Sequence, residues 1–85
     1  MPGLLQQGAK MNIGKAIREE REHQGFTQLE LAIKTGYTEM WILQIEKKKL
    51  IFQLEPVYTI ADALDIPLSQ LFARAEQVES QAAKG

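Results

Sequence analysis

The 85-residue chain has no cysteine, a single histidine, only three prolines and no long apolar run. Without cysteine there are no disulfide staples, thiolate zinc sites or thiol nucleophiles, which fits a reducing compartment. His23 alone can build neither a metal cluster nor a nucleophile with its base, so no metal, no cofactor and no enzymatic activity are expected. No glycine-rich phosphate loop occurs. The apolar stretches fall well short of the roughly 18 to 20 residues that span a bilayer, and residues 1–10 lack the basic start and apolar core of a signal peptide. No membrane contact is expected, and the cytoplasm is the expected location.

A charge of one sign is also missing. Ten Lys+Arg against eleven Asp+Glu give −1, which offers no overall basic footprint for nucleic acid. The average covers two unlike halves: residues 1–50 hold eight cations against six anions, or +2, and residues 51–85 hold two against five, or −3. Any nucleic-acid face therefore belongs in the first half. With 45% hydrophobic and 25% charged residues the composition is that of an ordinary globular domain. At this length one core is expected, burying about 60% of the unfolded surface.

Strand signals are scarce too: there is no sustained alternation and no Asn-Gly or Asp-Gly hairpin, whereas spacings of three and four recur. The pattern predicts an all-α fold of five short helices. The first starts at the N-cap Asn12, turns Ile13, Ala16 and Ile17 inward, and stops at Gly25. Thr27 and Glu30 form a capping box for the second, which buries Leu31 and Ala32 and closes at Gly36. Thr38 caps the third, predicted over Glu39 to Lys47, with Ile42 and Ile45 on one face and Met40, Gln44 and Lys47 on the other. The fourth begins near Leu54 with Pro56 in its first turn and turns Val57, Ile60, Ala61 and Leu64 inward. The fifth carries Leu68, Leu71 and Phe72. Residues 1–11 are expected to be a flexible arm, native or an appended remnant since Met11 is a second candidate initiator; 12–75 form the domain, and 76–85 a polar, fraying tail.

Gln28, Ala32, Gly36, Ile42 and Ile45 stand at relative positions 1, 5, 9, 15 and 18 of a helix-turn-helix. With Arg21, the Gly25-Phe26-Thr27-Gln28 run, Ile45-Glu46 and Ala61-Asp62-Ala63-Leu64, the stretch from Ile13 to Phe72 resembles the lambda-repressor/Cro-like family, also called the xenobiotic-response-element type. The resemblance implies a compact five-helix DNA-binding domain with the helix-turn-helix at helices 2 and 3. It implies an ion pair of Arg21 with Glu46, tying helix 1 to the end of helix 3. It also places Thr27 and Gln28 on a phosphate, where the free N–H groups of a helix N-terminus attract anions. Thr27 has a complete explanation as a cap as well.

Base contact, by the same resemblance, falls to Thr38, Glu39, Met40 and Gln44 with Leu43 on the flank. Gln44 can bond adenine N6 and N7 together, Met40 or Leu43 can meet a thymine methyl, and Glu39 can accept from cytosine N4. Lys47, Lys48 and Lys49 either neutralise phosphate or only complement the helix dipole. Trp41 either wedges against helix 2 or the sugar-phosphate wall, or joins Met40 and Leu43 in an apolar patch for a protein partner. The function implied is a sequence-specific transcriptional regulator of bacterial or phage type, a repressor acting as a homodimer on a double-stranded operator. The expected dimer surface is helix 5 with its tail, where Leu68, Phe72 and Val78 offer apolar contacts. Antitoxins and restriction-modification controllers share the fold and stay as alternatives, as does a protein-interaction module using the apolar surface of helix 3.

Overall fold

The computed structural model describes residues 11–48, 50–51 and 53–84, with side chains up to residue 77. Five helices follow one another: α1 Ile13–His23, α2 Gln28–Thr35, α3 Glu39–Ile45, α4 Leu54–Ala63 and α5 Leu68–Lys84. Among the described residues there is no strand. The helices pack as α1 on α5, α2 on α3, α2 on α4 and α4 on α5.

Local chemistry sets the starts and stops. The Asn12 side chain accepts from the Lys15 N–H at 3.0 Å and starts α1. At α2 the capping box is complete: the Glu30 N–H donates to the Thr27 hydroxyl at 3.0 Å, and the Thr27 N–H donates to the Glu30 carboxylate at 2.8 Å. The Thr27 N–H, then the Thr27 hydroxyl, then Lys34 hold the Glu30 carboxyl below its ordinary value of 4.5. Because folding lowers this pKa, its contribution is complete above the ordinary value and is lost as the pH falls through the folded one. Thr27→Ala is expected to cost about 1 kcal/mol, seen as a lower urea midpoint at an unchanged m value. Gly36 ends α2 at φ +82°, a left-handed conformation that costs a residue with a side chain about 1 kcal/mol or more. Thr38 then starts α3 by accepting from the Trp41 N–H at 3.1 Å.

The inward faces converge on one core in which Ile17, Leu31, Ile42, Val57, Ile60, Leu64 and Leu71 are fully buried. Each such side chain contributes about 1.5–3 kcal/mol relative to exposure. Ala32 is buried where α2 meets α3, and Trp41 and Tyr37 pack against the core from the side.

Two helix ends differ from the sequence expectation. α3 stops at Ile45, two residues before Lys47, because the chain tightens there: the Lys47 N–H bonds to the Gln44 carbonyl and the Lys48 N–H to the Ile45 carbonyl, both three residues back. The Lys48 carbonyl is taken from outside, by the Gly14 N–H at 2.8 Å. α5 runs on past Ala75 to Lys84, where the polarity of 76–85 pointed to fraying. Polarity is no helix breaker, and this stretch holds alanine, glutamine and glutamate with neither glycine nor proline before residue 85.

Candidate nucleic-acid interface

The helix-turn-helix presents the first turn of α2 and the outer face of α3 on the surface. Thr27, Thr38, Glu39, Met40 and Gln44 are exposed there, and Leu43 is half-buried. Lys47 and Lys48 are exposed beyond the end of α3, while Lys49 lies outside the described residues. Thr27 and Thr38 each use a hydroxyl lone pair on a cap, which leaves the O–H of Thr38 able to donate to a phosphate oxygen, while that of Thr27 also serves the Glu30 carboxylate. Glu39 sits in the first turn of α3, where its charge suits the helix dipole.

α3 is held from behind. Ile42 and Ile45 anchor it in the core, and at its C-terminal end Glu46 meets Arg21 of α1. The Arg21 Nε donates to Glu46 Oε2 at 2.7 Å and Nη2 to Oε1 at 3.2 Å, a two-pronged pair with both residues buried. Arg21 Nη1 also donates to the Phe26 carbonyl at 2.7 Å, so the pair fixes the turn before α2 as well. Gln28 belongs to the same cluster: its Nε2 donates to Glu46 Oε1 at 3.1 Å. The carboxylate forces the amide to present its nitrogen, and one Nε2 hydrogen and the Oε1 acceptor remain for other partners. Sequence reasoning gave Gln28 a phosphate role only. Its bond to Glu46 spans 18 residues and leaves no local signal.

Trp41 is half-buried and stacks on Tyr37, with ring centroids 3.9 Å apart and planes 23° from parallel. Packing thus accounts for Trp41, and the apolar patch on α3 shrinks to Met40, 62% exposed, beside half-buried Leu43. On α5, Leu68 and Phe72 are half-buried against the chain's own core, and the Val78 side chain lies outside the described residues.

Sequence reasoning missed a second buried carboxylate. Glu20 is 2% exposed and meets Arg74 of α5, Nε to Oε1 at 2.5 Å, while Arg74 Nη1 reaches Glu19 at 3.3 Å. The bond to Glu20, before any other cause, raises the Arg74 pKa further. The signal was present: Glu20 follows Ile13, Ala16 and Ile17 on the inward face, and a carboxylate there needs a partner. Among the described residues, no group of acidic or histidine side chains is placed to hold a metal, and no helix is long and apolar enough to cross a membrane.

No curated protein matches the chain. Among solved structures it is similar to the restriction-modification controller protein C.AhdI from Aeromonas hydrophila, at 27% identity and a TM-score of 0.67 over 78% of this chain and 96% of that one. Residues 17–71 match the helix-turn-helix family, well over half the chain and all of the unit from α2 through α4. With its five-helix order, its capped turn and that match, the chain belongs to the lambda-repressor/Cro-like helix-turn-helix family.

Proposed function

We propose that the protein is a sequence-specific DNA-binding transcriptional regulator that reads the major groove with α3. The observation that carries this reading is the exposed row Thr38, Glu39, Met40 and Gln44 on a helix pinned behind by Ile42, Ile45 and the Arg21–Glu46 pair. Residues that read bases must be held in place, and this arrangement holds them. Thr27, Gln28, Lys47, Lys48 and Lys49 act on the phosphate backbone, which positions the protein without choosing a sequence. The regulator acts as a repressor and homodimer through α5, its two α3 helices about 34 Å apart in successive major grooves, blocking polymerase. No catalytic step belongs to it.

The similarity to a restriction-modification controller favours a second reading, in which the target is the control region of a restriction-modification operon. Both readings use the same site. In a salt series against duplex DNA, affinity is expected to fall steeply with rising salt. Gln44→Ala is expected to change the preference at one base pair by about 1–3 kcal/mol while leaving the fold intact. Equal weakening on every sequence would reduce Gln44 to a positioning role, and no site tighter than random DNA would sink the regulator reading.

A further inference from the structure

The DNA-binding reading gives no task to the buried pair of Glu20 with Arg74, and an apolar contact would serve the core as well. Its place in the fold is distinctive. Glu20 and Arg21 are successive residues of α1 that hold different helices: Arg21 takes Glu46 at the end of α3, and Glu20 takes Arg74 of α5. Backbone bonds tie the start of α1 to the same two helices. The Gly14 N–H donates to the Lys48 carbonyl just beyond α3, and the N–H of the cap residue Asn12 donates to the Ala75 carbonyl of α5 at 3.3 Å. At the other end of α1, Gln24 reaches the Leu64 carbonyl, just before the turn into α5. The helix with the base-reading row and the helix proposed for the dimer therefore share α1 as a splint.

α5 lies on the core through Leu71 and Ala75, both fully buried. Apolar burial is non-directional, so this narrow stripe fixes how close α5 lies more firmly than how it is rotated. On the helix, Arg74 stands on one flank of the stripe and half-buried Leu68 and Phe72 stand on the other. The Arg74 guanidinium is directional: Nε is held by Glu20 and Nη1 by Glu19. Holding one flank on α1 sets the rotation of α5, and with it the direction in which Leu68 and Phe72 are presented.

We propose that Arg74 is a positioning residue which, through Glu20, fixes the rotation of α5 on α1 and so determines the half-site separation that the dimer accepts. The proposal rests on the DNA-binding reading and on dimerisation through α5. Two reading helices joined rigidly gain from binding together only where the half-sites match their separation, about 34 Å or one turn of DNA, and lose that gain where geometry forbids it. A rotated α5 redirects the partner copy and its α3. The contact of either α3 with its own half-site is unaffected, because Ile42, Ile45 and the Arg21–Glu46 pair hold it independently of Arg74. Arg74 therefore acts on the spacing of two sites and not on the sequence of one.

The test uses the full chain on duplexes carrying two inverted copies of the half-site it selects from a random duplex library, their centres moved apart one base pair at a time. Wild type is expected to prefer one separation over its neighbours by about tenfold or more. Arg74→Met with Glu20→Leu removes both charges together, which spares the fold, and leaves Leu68 and Phe72 in place. This double variant is expected to stay dimeric in sedimentation, to bind a single half-site as wild type does, and to accept neighbouring separations within about twofold of one another. Arg74→Lys keeps one charge-assisted bond to Glu20, and its preference should lie between the two. A double variant as selective for separation as wild type overturns the role, and so does one that loses single half-site binding in step, since the pair would then act on the fold of the whole domain. If circular dichroism shows the double variant unfolded, Arg74→Lys decides alone, and a preference as sharp as wild type overturns the role. A wild-type chain that sediments as a monomer removes the dimer, and one that binds no duplex at low salt removes the DNA-binding reading; either takes this role with it.

Discussion

Gly14→Ala is expected to destabilise the protein by about 3 kcal/mol, the top of the usual range for overpacking. Helix propensity predicts the opposite sign, because alanine is better than glycine inside a helix by about 1 kcal/mol. Packing decides. Gly14 is buried in the first turn of α1, and a Cβ there would stand 2.2 Å from the Lys48 carbonyl oxygen, 2.6 Å from that of Ile45 and 2.8 Å from that of Glu46. These are backbone atoms at the end of α3, and they cannot rotate away as a side-chain tip does. α1 would have to retreat, stretching the bond from the Gly14 N–H to the Lys48 carbonyl and the Arg21–Glu46 pair beside it. At roughly 4–8 °C per kcal/mol for a domain of this size, the melting temperature should fall by about 12 °C or more. Lys15→Ala, an exposed neighbour on the same helix, should melt close to wild type. A Gly14→Ala variant as stable as wild type would mean that α1 and α3 do not approach this closely.

Gly14 also marks where sequence reasoning reaches its limit. In the chain it is one more glycine in a helical pattern, and its neighbours lie more than thirty residues away. What was legible was periodic or local. Ile13, Ala16, Ile17, Leu31, Ile42, Val57, Ile60, Leu64 and Leu71 recur at helical spacing, and all are buried. Asn12, Thr27 and Thr38 cap their helices because a cap needs only the next three residues. The end of α3 was misplaced because its tightening answers to contacts from α1, which no local rule contains. Gln24 escaped notice for the same reason: its amide donates to the Leu64 carbonyl at 2.7 Å, at the end of α4. The site divides likewise. The exposed row of α3 could be read from the wheel, whereas the convergence of Arg21, Gln28 and Glu46 depends on how three helices meet.

Glu46→Ala is the second large effect, expected to cost about 3–5 kcal/mol because it strands the buried Arg21 charge without its partner. The Arg21 guanidinium would keep only the Phe26 carbonyl and the more distant Glu22, and Gln28 would lose its acceptor. A buried pair is a poor source of net stability, since desolvation offsets much of the attraction, so replacing both partners by apolar groups costs far less than removing one. Arg21→Met with Glu46→Leu should therefore unfold at a urea concentration close to wild type, well above the Glu46→Ala midpoint. On the DNA-binding reading the two measurements should separate in that double variant. Stability returns with the apolar pair, but the Gln28 amide has no carboxylate to orient it, and duplex affinity should stay low. If affinity returned together with stability, the cluster would serve only to hold α1 on α3. Recovered folding with poor binding would instead assign Arg21 and Glu46 to placing Gln28, a role that explains why a buried ion pair stands where an apolar contact would do for the fold.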